Sequence, residues 1–148
     1  MQPIENTVEA LMSRDVLCLS EDQDLAHIGE AMELFKFRHM PVTDDGKLVG
    51  LVSQRDLLRI SASSLLPNAG EQTGFLTKQF RVRDIMTRDV QTVLPETSLV
   101  DAARLLHSQK VGCLPVVNAE NAVVGILTDS DFVALAARLL ELQSPGPL

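Results

Sequence analysis

Tryptophan and tyrosine are absent from this sequence, and phenylalanine occurs only five times. Base recognition on aromatic stacking platforms is therefore disfavoured. Any purine bound here has to be held by aliphatic side chains and backbone groups. Basic residues are also scarce, with 13 Lys and Arg against 20 Asp and Glu, a net charge of −7. Sequence-independent nucleic-acid binding relies on a basic face, so this balance argues against a nucleic-acid partner. It leaves room for a small basic pocket that takes a phosphorylated metabolite. Two cysteines, Cys18 and Cys113, sit among aliphatic residues without CxxC spacing. They read as buried reduced thiols, a disulfide or redox pair being the alternative. No apolar run is long enough to span a bilayer. The opening "MQPIENTVEALMSRD" carries acids early and no long apolar stretch, which argues against a secretory signal. The expectation is a cytoplasmic chain with no membrane partner.

Catalytic grammar is missing as well. There is no GxxxxGK[ST], HExxH, GxSxG, or GxGxxG after a strand. His27, His39 and His107 stand alone, without cysteine or carboxylate neighbours at zinc spacing. The expectation is a protein that is not an enzyme, with no metal and no obligatory cofactor. Met12, Met32, Met40 and Met86 read as packing residues rather than ligands.

What the sequence does contain is a repeat. At 148 residues the chain can bury roughly 70% of its unfolded surface, and 45% of its residues are hydrophobic. "VEALMSRDVLCLSEDQDL" (8–25) lies over "VRDIMTRDVQTVLPETSL" (82–99), with Val8, Met12, Arg14, Asp15, Val16 and Leu25 meeting identical residues. "KFRHMPVTD" then lies over "KVGCLPVVN", keeping Lys36, Pro41 and Val42. After a one-residue insertion, Val49, Gly50 and Asp56 meet Val124, Gly125 and Asp131. The two copies span 8–60 and 82–137. The connecting stretch 61–81 is rich in Ser, Gly, Pro and Asn, and reads as a helix tail followed by a loop.

Each copy has the same order of elements. "VLCLS" and "VQTVL" predict short strands. "DLAHIGEAMELFKF" and "SLVDAARLLHSQK" have apolar residues at helical spacing, with Asp24 and Ser98 as N-cap candidates. "HMPVTD" and "CLPVVN" predict strands that open at proline, which has no amide hydrogen to give a ladder. The turns "DDGK" and "NAEN" follow, the first with a hairpin Asp-Gly. Then come strands "LVGLVS" and "AVVGILT" and the helices "QRDLLRISASSLL" and "DSDFVALAARLLELQ". A unit of about 50 residues has little core of its own, so the two sheets are expected to supply it by packing together.

These words resemble the cystathionine-β-synthase (CBS) domain, and the pair resembles a Bateman module of the stand-alone bacterial type, some of which are similar to acetoin-utilisation regulators. The resemblance rests on "MSRDV" and "MTRDV", on the proline strands at Pro41 and Pro115, and on the endings "GLVSQRD" and "GILTDSD". It implies an α+β fold of two β-α-β-β-α repeats packed as a pseudo-twofold pair. It also implies a sensor of adenosine compounds (AMP, ADP, ATP or S-adenosylmethionine), bound as effectors in clefts between the repeats. A homodimer is expected from surplus apolar residues on the last helix of each copy, together with an unidentified regulated protein.

The endings have two readings. Ser53-x-x-Asp56 and Thr128-x-x-Asp131 fit a capping box, in which the hydroxyl takes a helix amide and the acid reaches back. They also fit a ribose-phosphate site. A helix start offers amides and positive potential to a phosphate, the acid accepts from ribose hydroxyls, and Gly50 and Gly125 let a ligand approach the strand. By resemblance, the first cleft uses Ser53, Asp56, Leu51 and Arg38, with Met86, Gln91, Val111 and Cys113 lining the base. The second uses Thr128, Asp131 and Ile126, with Met12, Leu17, Phe37 and His39 lining the base. Arg38 and Arg55 have Gly112 and Ser130 as counterparts, so the first cleft is better furnished for polyphosphate, while the Asp131 cleft carries an extra acid at Asp129 and suits a less charged adenosine ligand, or none. Arg38 and His39 also fit a solvated basic helix end. The alternative function is a structural dimerisation module with ligand-free clefts.

Overall fold

The computed structural model describes residues 6–62 and 80–144. Most of the stretch 61–81, with its expected helix tail and loop, lies outside the described residues. The elements run α1 (Val8–Leu11), β1 (Leu19–Ser20), α2 (Ile28–Phe35), β2 (His39–Asp44), β3 (Lys47–Ser53), α3 (Gln54–Ala62), α4 (Val82–Ile85), α5 (Leu99–Gln109), β4 (Cys113–Val117), β5 (Val123–Thr128) and α6 (Asp129–Gln143). Helices combine with small, largely antiparallel sheets in an α+β fold.

Two compact units emerge, and their limits cut across the sequence repeats. One takes Val16–Val90 with Glu120–Val123, which joins the body of the first repeat to the lead-in of the second. The other joins the lead-in of the first repeat, up to Asp15, to Gln91–Ala119 and the chain from Val124 onward. They are called here the Asp56 unit and the Asp131 unit.

In the Asp56 unit the sheet order is β1-β2-β3. β1 runs parallel to β2, and β2 is antiparallel to β3. The β2–β3 hairpin turns on Asp45 and Gly46, with φ of 52° and 79°. Both values are left-handed, the geometry that Asp-Gly supplies at least strain. Pro41 is the third residue of β2 rather than its first, and it faces Leu51. Leu51 directs both its N–H and its C=O to Thr87, at 2.9 Å each. The Pro41–Leu51 pair therefore forgoes no ladder hydrogen bond, and a mid-strand proline is tolerated. Asp24 is not the cap of α2. Its Oδ1 accepts from Ala26 N at 3.1 Å in a local turn, and the helix starts only at Ile28. α4 docks beside this turn through Val82 N to Gln23 O (2.9 Å) and Arg83 N to Glu21 O (3.1 Å), with the ion pair Arg83–Asp22.

In the Asp131 unit β4 pairs with β5. The expected strand "VQTVL" shrinks to Val93, which bridges Val116 in parallel. Pro95 explains this: Leu94 N turns aside to Thr97 Oγ1 at 3.0 Å, and the chain leaves the ladder. "VLCLS" likewise keeps only Leu19 and Ser20 as strand. Ser98 caps α5 as expected, accepting from Asp101 N at 3.1 Å. α1 is held by Val8 N to Thr97 O, and α5 by Leu99 N to Asn6 O, both at 2.8 Å.

The buried apolar residues form two clusters. Leu19, Leu25, Ile28, Met32, Met40, Val42 and Val52 are joined by Val82 and Met86. Val93, Leu99, Ala102, Leu106, Leu114, Val116 and Leu127 are joined by Val8 and Met12. The shortage of core in a 50-residue repeat is thus made good by a borrowed helix. Each body takes a valine and a methionine from the other repeat's lead-in.

Candidate functional site

The "GLVSQRD" and "GILTDSD" stretches build the same local structure in both units. A strand ends in a hydroxyl residue, and a helix starts on the next residue. Asp56 Oδ2 accepts from Ser53 N at 2.7 Å and from Ser53 Oγ at 2.9 Å, and Asp56 N donates to Ser53 Oγ at 3.2 Å. Asp131 Oδ2 accepts from Thr128 N at 2.8 Å and from Thr128 Oγ1 at 3.1 Å, and Asp131 N donates to Thr128 Oγ1 at 3.3 Å. Both capping boxes are therefore closed. Each carboxylate commits one oxygen to the cap. The other oxygen of Asp56 lies 4.0 Å from Arg59 Nη1. Nothing among the described residues hydrogen-bonds Asp131 Oδ1.

The helix starts are also fastened to the proline strands. Gln54 N donates to Arg38 O at 2.7 Å, and Asp129 N donates to Gly112 O at 3.1 Å. The two sites then differ. Ser130 N donates to Asp129 Oδ1 at 2.8 Å, so α6 closes its first turn with its own acid. Free amides at the helix start, expected from the sequence for both copies, are thus already engaged at Asp129, Ser130 and Asp131. In α3 the position of Asp129 is held by the uncharged Gln54.

Gly50 and Gly125 have a reason other than the approach of a ligand. A Cβ on Gly50 would lie 2.6 Å from Met86 Sδ and 3.0 Å from Thr87 O. A Cβ on Gly125 would lie 2.5 Å from Met12 Sδ and 3.1 Å from Ser13 O. The space beside each glycine is filled by the methionine of the lead-in word. That word is pinned by backbone pairs between Thr87 and Leu51 and between Ser13 and Ile126. "MSRDV" and "GILTDSD" are two halves of one joint, as are "MTRDV" and "GLVSQRD".

The Asp56 unit contains Ser53, Asp56, Leu51, Arg38, Arg55 and Met86, together with Leu17, Phe37 and His39. The side chains of Arg38 and Arg55 are exposed, Leu17 is exposed, and Phe37 is half-buried and stacks on Phe35 at 6.0 Å. The Asp131 unit contains Thr128, Asp131, Ile126 and Met12, together with Gln91, Val111 and Cys113. Gln91 is exposed, and Cys113 is buried. Both cysteines are free, but Cys18 is only half-buried. Burial, then the nearby charges of Asp129 and Asp131, push the Cys113 thiol up to about 12. Among the described residues no group of three or more His, Cys, Asp or Glu could hold a metal ion. No helix among them is long and apolar enough to cross a membrane.

Sequence reasoning missed Arg59 as a neighbour of Asp56, although helical i,i+3 spacing signals it. It read Asp129 as an extra acid that suits a less charged ligand, but not that its carboxylate takes the Ser130 amide. An aspartate at the first helical position, able to turn onto the next amide, was the available signal.

Comparison with known proteins agrees with the resemblance. The pattern of the CBS domain matches residues 8–63 and 82–138. A CBS domain-containing protein of Dictyostelium discoideum is 30% identical over 93% of this chain and 96% of its own length. The inosine-5'-monophosphate dehydrogenase of Methanocaldococcus jannaschii is 28% identical, but the chain spans only 24% of it. A Vibrio cholerae crystal structure provisionally assigned to acetoin utilization is 38% identical with a TM-score of 0.76, covering 94% of this chain and 98% of that one. CBSX2 from Arabidopsis thaliana is 32% identical with a TM-score of 0.78, covering 91% and 96%. A CBSX2 structure in complex with AMP is 31% identical with a TM-score of 0.75, covering 92% and 99%.

Proposed function

Because the chain belongs to the CBS domain family, we propose that it is a regulatory module that senses an adenosine-containing ligand. Asp56 and Asp131 serve as acceptors for ribose hydroxyls, and Ser53 and Thr128 fix those carboxylates. The observation that carries this reading is the division of labour within each acid. One oxygen closes the cap, and the other accepts no hydrogen bond among the described residues, that of Asp56 lying 4.0 Å from Arg59 Nη1. The AMP complex of the similar CBSX2 supports an adenosine ligand. Arg38 and Arg55 favour a phosphate-bearing one at the Asp56 site, since both are exposed cations beside a helix start.

Thermal unfolding with AMP, ADP, ATP, S-adenosylmethionine and NAD tests the proposal. A ligand at a hundred times its dissociation constant adds about 2.7 kcal/mol. At this chain length each kcal/mol raises the midpoint by about 2–4 °C. No shift with any of the five would leave the alternative, a ligand-free interaction module.

One observation favours an association role alongside sensing. No residue of α6 is buried, and its Val133, Leu140 and Leu142 are exposed, as is Leu58 of α3. Apolar side chains in this number suit a second copy of the chain. Light scattering should give twice the chain mass at micromolar concentration. A monomer with and without nucleotide would reject the homodimer.

A further inference from the structure

The two sites share a backbone but carry opposite charge. Around the start of α3 stand Arg38, Arg55 and Arg59 against one acid, Asp56. At the same positions in the second copy stand Gly112, Ser130 and Ala134, with two acids, Asp129 and Asp131. The charge difference has a structural counterpart. The backbone amides of a helix start are where a phosphate is held. In α6, Asp129 N is taken by Gly112 O and Asp131 N by Thr128 Oγ1. The amide between them, Ser130 N, is taken by the Asp129 carboxylate itself. A carboxylate on a helix-start amide occupies the position of a phosphate oxygen and brings the same charge. A second anion there would lose the amide and meet two like charges. In α3 the residue at Asp129's position is Gln54, and no side-chain acceptor meets the Arg55 amide among the described residues.

We propose that Asp129 is a specificity-determining residue that closes the Asp131 site to phosphate. That site then takes adenosine ligands whose 5' group is neutral or cationic, while phosphate-bearing ligands go to the Asp56 site. The inference rests on the adenosine reading of both sites. A chain built this way reports two ligand classes separately, because the sites differ in charge while their cap and glycine joint are alike. Burial does most to raise the Cys113 thiol, and the charges of Asp129 and Asp131 add to it, in keeping with their closeness to that strand.

The test uses the full chain carrying Asp56→Asn, which weakens the first site and leaves the second to be read by calorimetry. The probes are adenosine and AMP. In this background AMP should bind the Asp131 site at least about tenfold more weakly than adenosine, as expected for a phosphate beside like charges. Adding Asp129→Gln, which installs the α3 residue, should raise AMP affinity about tenfold and leave adenosine within twofold. Asp129→Ala should do the same, which separates loss of the acid from any contact made by glutamine. An AMP-to-adenosine ratio that stays put in both variants, with adenosine still bound, overturns the role of Asp129 and leaves the adenosine reading standing. Failure of the unsubstituted chain to bind adenosine or AMP overturns both.

Discussion

Gly125→Val is expected to destabilise the protein by about 3 kcal/mol, and Gly125→Ala by about 1 kcal/mol, the range typical of inserting atoms into packed space. The reason is the joint between the lead-in word and the strand. A Cβ at Gly125 would come within 2.5 Å of Met12 Sδ, and a methionine can rotate away from that. It would also come within 3.1 Å of Ser13 O, which cannot move freely. Ser13 is bonded to Ile126 in both directions at 2.9 Å, so displacing its carbonyl breaks a backbone pair. Gly50 meets the same two obstacles in Met86 and Thr87. Met12→Ala alone removes a buried side chain and should cost about 2–5 kcal/mol. Combined with Gly125→Val it should cost less than the sum by about 1 kcal/mol or more, since the valine then fills the space vacated. Denaturant unfolding of the ligand-free protein measures the three single variants and the double. Strict additivity, or a Gly125→Val protein as stable as its parent, would show that the glycine is there for something other than Met12.

The sequence made the repeat, the element order and the α+β fold legible because each rests on local chemistry. Asp45-Gly46 turns as that dipeptide must, and Ser98 caps α5 as its position predicts. Asp24 failed as a cap because the chain from Leu25 to His27 first makes a turn, and a local turn competes with a helix for the same side-chain oxygen. The five-residue strand expected around Val93 shrank because Leu94 N turns to Thr97 Oγ1 at Pro95, and the one expected around Leu19 keeps only its pairs with Val42 and Thr43. What could not be read was which lead-in helix joins which body. Val8, Met12, Val82 and Met86 occupy matching places in the two repeats, so sequence alone gives each methionine two equivalent glycines to choose from. Only the contacts show that Met12 goes to Gly125 and Met86 to Gly50. At the candidate site, the hydroxyl-x-x-acid pattern was legible as both a cap and a ligand group. The cap is formed and engages a single oxygen of each carboxylate, so the proposed ribose contact is compatible with it.

That compatibility sets the form of the remaining test. Asp56→Ala and Asp131→Ala remove both oxygens. Each should cost about 1 kcal/mol of stability through the cap and also weaken adenosine-ligand binding by about ten- to a hundredfold. Alanine alone therefore cannot say which oxygen matters. Asparagine can. Its carbonyl oxygen still accepts from Thr128 N and Oγ1 in place of Asp131 Oδ2, so the cap persists. Its amide now stands where Asp131 Oδ1 stood, and an amide donates where a ribose hydroxyl needs an acceptor. Asp131→Asn should thus lose well under 1 kcal/mol of stability and still bind adenosine at least about tenfold more weakly than the parent, since a charge-assisted acceptor is worth about 1.5–3 kcal/mol. Asp56→Asn should behave likewise, with a smaller loss if Arg59, 4.0 Å from Oδ1, already draws on that oxygen in the free protein. Calorimetry gives the affinities, and urea unfolding gives the stabilities. If both asparagine variants bind adenosine as the parent does while the alanine variants do not, the acids act through the helix cap alone. The ribose contact must then be assigned elsewhere.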